Sequence, residues 1–495
     1  MRHLKVEKLE AREMLAVSLP GNLNGDSAVN AADYVLWRKS LGQSVVAHTG
    51  ADASGNGIVD QTDYNIWRSD FGATTAATSE SSNPFAANAV DAADYVLWRK
   101  TLGKVVTPYS GEDTSGNGRI DQADYNIWRR DFGIAGSPNW FDANVVDAAL
   151  RTLGSNLYID GRIDRADAMA LFREVETDGT VTATELSDLQ SIVTTPSLFG
   201  SLDYVHKLSS YTVNGYAITN QYTGTTTTIA GLSAGASGAT LEQRVEKWFL
   251  GADHPVAGGD YRPVAGSLFV DGPSYTDIRQ GSVNDCYFLA SLAETALKDP
   301  SAITNMFIVN GDGTYTVRFY NGSTAEYVTV DSYLPTSTSG HLVYADLGAL
   351  YNDPNNELWT ALAEKAYAQV NEMGWIRSGS SGSGENSYLA IVNGYIYLSL
   401  GQVTGQSTSS FDYTTLPTSF TNFVNAYNQN ELIGFASGAT PGSSSVVANH
   451  AYAVVDYDAT NQTVTLFNPW GIQVGLITMD WTQIQANFLY FDQTV

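Results

Sequence analysis

The alternation of apolar and polar residues divides the chain into stretches of different period. NAADYVLWRKSLG (30–42) reads as one amphipathic helix, opened by Tyr34, Leu36 and Trp37 and ended by Gly42. It returns as DAADYVLWRKTLG (91–103), and DQTDYNIWRSDFG (60–72) returns as DQADYNIWRRDFG (121–133), both at an offset of 61 residues. Within each pair the half-repeats sit 30 apart. Self-similarity this close means repeated supersecondary units, each a polar Asn/Asp/Gly-rich loop followed by a helix. Between the pairs, ATTAATSESSN (73–83) has the composition of a flexible linker. Residues 196–240 shift to Ser, Thr, Gly and Tyr with short alternating runs such as SYTVNGYAI, which predicts a β-rich connector. From about Leu241 helix and strand signals alternate, and only there are apolar residues dense enough for a large core.

Two elements of that last stretch frame its chemistry. After Cys286, Leu289, Leu292, Ala293 and Ala296 fall at i, i+3, i+4 and i+7, predicting a helix capped by Asn284 or Asp285. HAYAVVDY (450–457) and TVTLFNPWG (463–471) flank the turn DATNQ, predicting an antiparallel hairpin. The midpoint of positions 450 and 468 falls inside that turn, so Asn468 is expected nearly opposite His450.

Composition narrows the partners. At roughly 100–200 residues per domain, 495 residues hold about three domains. With 26 Lys+Arg against 52 Asp+Glu the formal charge is −26, so nucleic acid and anionic membranes, both polyanions, are poor partners. Charged residues make up only 16%, against about 25% in an average domain, so Ser, Thr, Asn, Gly and Tyr supply surface polarity, a mix common in secreted proteins. No apolar run approaches the roughly 18 residues of a membrane span. The single cysteine, Cys286, excludes an intramolecular disulfide framework and a multi-Cys zinc site. The opening MRHLKVEKLEAREMLA carries basic charge without the apolar core of a standard signal peptide. Its LEAREMLA resembles a Leu-Glu-x-Arg-x-x-Leu leader of bacterial surface proteins, so 1–17 is read as a leader and the expected location is secreted or cell-surface, in a bacterium.

The repeat loops point to a hard cation. Calcium takes six to eight oxygens, which a 12-residue loop supplies from positions 1, 3, 5, 7, 9 and 12, with Gly favoured at 6. Counting back from Asp63 gives Asp52, Ser54, Asn56, Gly57 and Asp60 in those roles; counting back from Asp124 gives Asp113, Ser115, Asn117, Gly118 and Asp121. The loop ending at Asp33 offers Asn22, Asn24, Asp26 and Asn30, with Ser27 in place of the glycine. Ahead of Asp94 the corresponding positions are Asn83, Phe85 and Ala87, so no tight calcium is expected there. Weaker echoes come at Asp160–Asp167 and EVETDGTVTATE (174–185), at least one of them a capped turn. Loop-helix pairs of this kind resemble dockerin modules, which implies Ca2+ and a cohesin-like or cell-surface partner. The expected organisation is a repeat pair at 18–73, a linker at 74–83, a second pair at 84–135 with a degenerate first loop, and an EF-hand-like helical segment at 136–195. The connector (196–240) and the large-core domain (241–495) complete the chain.

A nucleophilic thiol needs a base and the base needs an orienter. Cys286 would sit in a first helical turn, where free N–H groups and the helix dipole favour a thiolate. Of six histidines only His450 opens an apolar strand, and only it has an amide, Asn468, placed to fix its tautomer. Cys, His, Asn in that order is the triad logic of papain-like proteases. FVDG…TDI.QG…DCYFLA, VDSYLP (330–335), NELWTALAEKAYA (356–368), HAYAVVDY and NPWG (468–471) together resemble the catalytic core of calpain-type cysteine proteases. The resemblance implies a multidomain α+β protein: calcium-loop repeats, then a papain-like core with a helical half and an antiparallel β-sheet half. It implies a cysteine endopeptidase acting on proteins or peptides, dependent on or stabilised by Ca2+. It makes Cys286 the nucleophile, His450 the base, Asn468 its orienter, Trp470 the shield of their hydrogen bond and Gln280 an oxyanion donor. It also implies a calcium site from Val270, Gly272, Asp277 and Glu357. Val474 and Tyr275 depart from the family's second site and from its arginine linking the halves, and Tyr287 replaces the usual tryptophan. A transglutaminase-like acyl transferase is the alternative enzyme, with Asn468 against it. A surface scaffold with a relic core is the non-catalytic alternative, with the intact Cys286, His450, Asn468 and Gln280 against it.

Overall fold

The computed structural model describes residue 23 and residues 31–70, 92–106, 112–114, 119–131, 140–216, 221–222, 227–228, 231–346, 348–412 and 419–495. The chain forms two compact units, residues 1–139 with 155–160 and residues 140–154 with 161–495.

In the first unit the repeat helices form as their period predicts: α1 (Ala31–Ser40), α2 (Gln61–Asp70), α3 (Ala92–Thr101) and α4 (Gln122–Asp131). Gly42 and Gly103 follow α1 and α3 at φ of 85° and 91°, left-handed positions that a side chain would strain. The two pairs repeat their packing as well as their text. Trp37 Nε1 donates to the Asp60 carbonyl at 2.8 Å and Trp98 Nε1 to the Asp121 carbonyl at 2.7 Å. Trp37 lies 4.9 Å from Tyr64, and Trp98 4.9 Å from Tyr125, between ring centroids. Each tryptophan is buried, which removes roughly 150–250 Å² from water and is worth about 4–6 kcal/mol before entropy is subtracted.

The second unit begins with helices α5 (Trp140–Asn144), α6 (Ala148–Leu157), α7 (Arg165–Glu176), α8 (Ala183–Val193), α9 (Asp203–Asn214) and α10 (Gly238–Trp248). The echoes of calcium loops before α7 and α8 are helix starts. Asp164 with Asp167, and Thr182 with Glu185, form reciprocal capping boxes. The expectation of a β-rich connector at 196–240 is corrected by α9, which takes in the first half of SYTVNGYAI. Val205, Leu208, Tyr211 and Thr212 are buried at helical spacing, and that outweighs the local alternation. Only β1 (Gln221–Tyr222) and β2 (Thr227–Thr228) are strands among the described residues there. The boundary at 241 is also corrected, because it cuts through α10. Buried charge ties these helices to the rest of the unit. Lys247 is enclosed with Asp253 and Glu372, Arg165 reaches Asp312 at 2.7 Å and the Phe249 carbonyl at 2.6 Å, and Tyr211 donates to Glu326. Removing either partner of such a pair would strand a buried charge.

The remainder is α+β. Strand β3 (Asp260–Pro263) is followed by α11 (Cys286–Lys298), α12 (Pro300–Thr304) and the meander β4 (Phe307–Val309), β5 (Thr314–Asn321) and β6 (Thr324–Asp331). Then come β7 (Tyr333–Thr336), paired with β3, and helices α13 (Trp359–Val370) and α14 (Ile396–Thr404). Strands β8 (Thr408–Asp412), β9 (Ile433–Ser437), β10 (Ala451–Asp458), β11 (Thr463–Phe467), β12 (Ile477–Asp480) and β13 (Phe488–Thr494) form an antiparallel sheet ordered β12-β11-β10-β9-β13-β8. One face of this sheet carries Phe435, Tyr452 and Phe491 in an apolar core with α15 (Phe420–Asn428) and α16 (Trp481–Asn487). The other face aligns small residues, Ala451 with Ala436 and Ala453 with Gly434. Against that side pack α11 and α14, so the start of α11 meets the start of β10.

Candidate active site

Cys286 is the first residue of α11, as its spacing predicts, but Asp285 before it is not a side-chain cap. Its fully buried carboxylate turns to Gln280 Nε2 at 3.4 Å and to Glu364 of α13. Burial drives both carboxyls up, and the charge of Asp285 drives Glu364 further. Sequence reading missed this pair; its trace was Glu364 inside a helix whose every residue is buried. Burial pushes the Cys286 thiol up to about 11, the Ala451 N–H draws it back, and the charge of Asp285 adds to the rise. At that value about one thiol in ten thousand is ionised at pH 7.

The loop at 391–396 clamps the start of α11. Tyr287 donates to the Ile391 carbonyl at 2.9 Å and the Asn393 N–H donates to the Asn284 carbonyl at 2.9 Å. A side chain at position 394 would begin 2.3 Å from the Tyr287 ring, so this approach requires Gly394.

His450 immediately precedes β10 and is fixed through its backbone. Its N–H donates to Ser437 Oγ at 3.0 Å and its carbonyl accepts from the Ser437 N–H at 2.9 Å. Its Nε2 lies 2.8 Å from Asn468 Oδ1, and the Trp470 N–H donates to the same oxygen at 2.9 Å. Two donors converging on one atom mark it as the amide oxygen, so Nε2 carries the hydrogen and Nδ1 is the free base. The Trp470 ring lies 5.1 Å from the imidazole between centroids, and Tyr452 meets the imidazole edge-on at 5.1 Å. Burial lowers the His450 pKa and the Asn468 bond partly restores it. The pairing differs from simple hairpin arithmetic. A bulge between Val454 and Asp456 shifts the register, with Ala453 opposite Phe467. His450 and Asn468 therefore meet just beyond the ends of the ladder.

Cys286 and His450 line one cleft of about 410 Å³, together with Gly394, Ala436, Tyr490 and Asp492 among others. No hydrogen bond joins the thiol to the imidazole; the thiol meets the Ala451 N–H and the imidazole meets Asn468. Gln280 is buried and is not among the residues that line the cleft. Nε2 donates to the Val283 carbonyl at 2.8 Å, while its N–H ties the approach loop to the Pro469 carbonyl at 2.8 Å. Tyr275 meets Phe467 edge-on at 5.2 Å, an aromatic link between the two halves where the family pattern has an arginine.

The candidate calcium ligands of the core are partly gathered. Asp277 and Glu357 line one cavity of about 270 Å³ with Asp346. Asp277 Oδ2 accepts from the Ser274 N–H at 2.7 Å and Trp359 Nε1 at 3.1 Å, and Glu357 Oε1 accepts from the Val270 N–H at 2.7 Å. Burial first, then the charges of Asp277 and Asp271, raise Glu357 to about 7 despite the Val270 bond. Gly272 sits at a φ of 87° in the same loop. Asp277 and Glu357 are oxygen donors of the kind a hard cation takes, but Arg279 lines the same cavity and Val270 and Gly272 do not.

In the repeat loop, Asp52 accepts from the N–H groups of Gly55 at 2.8 Å, Asn56 at 3.2 Å and Gly57 at 2.9 Å, and from Ser54 Oγ at 3.1 Å. Asp63 accepts from the N–H groups of Ser54 and Asp60, each at 2.8 Å, and Asp60 from Asn56 Nδ2 at 3.1 Å. In the second pair Asp113 and Asp124 are buried and the Asp121 N–H donates to Asp124 at 2.7 Å. Ser115, Asn117, Asn22, Asn24, Asp26 and the side chain of Asp33 lie outside the described residues. Among the described residues no three His, Cys, Asp or Glu side chains converge on a point that could hold a metal ion.

A thiol at a helix start, lining one cleft with an imidazole just before a strand, places this unit in the class of cysteine-dependent enzyme cores. Residues 262–485 match the calpain family of cysteine proteases. The chain is 27% identical over 223 residues to calpain-8 of Rattus norvegicus, covering 41% of this chain and 29% of that protein. It is 30% identical over 222 residues to calpain clp-1 of Caenorhabditis elegans, covering 41% and 26%. It is 28% identical over 236 residues to the calpain-1 catalytic subunit of Bos taurus, covering 43% and 29%. The C-terminal part of the chain is thus a calpain-type cysteine protease core, and the chain spans less than a third of the length of these relatives.

Proposed function

We propose that this protein is a cysteine endopeptidase that cleaves peptide bonds with Cys286, His450 and Asn468. The observation that supports this most is the 2.8 Å bond from His450 to Asn468, which leaves the other imidazole nitrogen free as a base in the cleft it shares with Cys286. Cys286 Sγ attacks the scissile carbonyl carbon as His450 takes the thiol proton. The oxyanion is held by the backbone N–H of Cys286, which has no intrahelical acceptor in the first turn, and by Gln280 once its amide turns from Val283. His450 then protonates the leaving amine, and water attacks the thioester to release the acid and restore the thiol. Trp470 keeps water from the bond between imidazole and amide.

Calcium is part of the same proposal. Val270, Gly272, Asp277 and Glu357 would hold one ion, whose charge would offset the repulsion between the two carboxylates and order the loop that carries Gln280. The repeat loops, led by Asp52 and Asp63 and by Asp113 and Asp124, are proposed as further sites. A cohesin-like or cell-surface partner and a secreted location follow from the dockerin resemblance. The test is labelling of the full chain with a thiol-reactive peptide electrophile, with and without calcium, followed by mapping of the adduct. Adduct on Cys286, faster than with a non-peptide electrophile of equal reactivity, is the expected result. Equal rates for both reagents would overturn the protease reading.

A further inference from the structure

Asp492 is a carboxylate inside the cleft that the proposed chemistry does not use. It lies on β13, second from one edge of the sheet, is 2% exposed, and lines the same cleft as Cys286 and His450. Its Oδ2 accepts from the Tyr397 N–H at 3.2 Å, in the first turn of α14, whereas its Oδ1 is buried without a hydrogen bond. Among the described residues no lysine, arginine or histidine pairs with it. Burial raises its pKa to about 6, with Ser410 and Tyr397 pulling it down, so at neutral pH it is mostly charged. A buried carboxylate met only by the Ser410 hydroxyl and one backbone N–H, with no cation beside it, is costly.

The register locates it relative to the chemistry. Ala451, next to His450, pairs with Ala436, which pairs with Tyr490, two residues before Asp492 on β13. Strand spacings of about 4.8 Å and rises of about 3.4 Å per residue put Asp492 roughly 12 Å from Ala451. That is the span of one or two extended residues plus a long side chain. Ala436 lines the cleft on this face, and Ile396 of α14, seated over Gly434, bounds it beside Asp492.

We propose that Asp492 forms the floor of a specificity subsite that receives a lysine or arginine side chain of the substrate, one to two residues from the scissile carbonyl. This rests on the endopeptidase reading above and names its substrate class. The substrate cation completes Oδ1 with a charge-assisted hydrogen bond, while Oδ2 keeps its bond to α14.

The test compares kcat/KM for paired peptides that differ only in carrying Lys or Leu at each of the two positions before the cleaved bond. The wild-type chain, Asp492→Asn and Asp492→Glu are compared. The amide of Asp492→Asn still accepts from the Tyr397 N–H, so a capping role alone would leave the Lys/Leu ratio unmoved. The expected result is a wild-type ratio favouring Lys at one position, about tenfold or more lower in Asp492→Asn and largely kept in Asp492→Glu. Peptide cleavage with no Lys preference, or with a preference that Asp492→Asn leaves intact, overturns the subsite. Absence of cleavage and of Cys286 labelling by any peptide overturns the endopeptidase reading instead. Should Asp492→Asn fold poorly, the same ratio is read by competing Lys- and Leu-bearing peptide electrophiles for Cys286 of the wild-type chain, where equal rates overturn the subsite.

Discussion

The two halves of the core hold their reactive groups in opposite ways. On the sheet half His450 is fixed at every level: backbone to Ser437, Nε2 to Asn468, ring beside Trp470. On the helical half Cys286 has its place but not its charge state. It is buried, lies beside the acidic pair of Asp285 and Glu364, and is pushed up to about 11. The base is ready and the nucleophile is held as a thiol. Under the proposed mechanism, what separates the resting site from a working one lies on the Cys286 side, where burial and the charge of Asp285 hold the thiol up. A substrate or ion that drives water from between the two groups would strengthen a thiolate–imidazolium pair, because opposite charges attract more strongly in a low dielectric.

The largest expected effect comes from removing each group in turn. Cys286→Ala should reduce peptide cleavage to background with the fold retained, since the change is small and no other thiol exists. Asn468→Ala should leave measurable activity, losing less than the roughly 10²–10⁴-fold that a general base supplies, because Asn468 orients the base and carries no proton. Activity in Cys286→Ala, or an Asn468→Ala loss as complete as that of Cys286→Ala, would break the division of labour between the halves. Steady-state kcat with circular dichroism as a fold control decides it.

The next effect is in pH. A thiol whose pKa is raised to about 11 should be alkylated by iodoacetamide ever faster as pH rises past 9, with no plateau near neutrality. The linked stability has the same sign. Keeping the thiol protonated is no handicap below its ordinary pKa, and stability is lost as pH climbs from there through 11. For His450, lowered by burial, stability falls instead as pH drops below its ordinary 6.5, where the unfolded chain binds the proton and the folded chain resists it. A plateau of alkylation centred below pH 7 in the resting protein would mean that the ion pair already exists, and the contrast between the halves would disappear.

The positions behind this contrast were legible in the sequence, but not the charge state of Cys286: the helix start was expected to favour a thiolate, and burial raises the thiol instead. Cys286, His450 and Asn468 sit at the ends of strongly periodic elements, the start of α11 and the ends of β10 and β11, so local pattern was enough to place them. The repeat helices were legible for the same reason, each pair anchored by a buried tryptophan. What escaped reading depends on contacts between distant segments. Asp285 looks like a helix cap until α13 brings Glu364 near it, and Gln280 looks free to donate until Val283 takes its amide. SYTVNGYAI failed differently: its alternation is real but shorter than the helical stripe of α9 that contains its first half.

The smallest expected effect tests whether calcium acts on the less settled half. In a Cys286→Ala background, which removes self-cleavage, calcium should raise the melting temperature by binding only the native state. Part of that rise should come from the core. Asp277→Asn should remove it, by about 2–4 °C for each kcal/mol of binding lost in a unit of this size. Without calcium the same variant should melt no lower than its parent, because Asp277 and Glu357 then repel each other and one charge is gone. Asp63→Ala should remove a separate part, assigned to the repeats, and Asp94→Ala none. Val474 and Tyr275 interrupt the second core site and its coupling, so the calcium dependence should be shallow, without steep cooperativity. An Asp277→Asn chain with the full calcium shift would make the acidic pair structural only, and the settling of Cys286 would then have to come from the substrate itself.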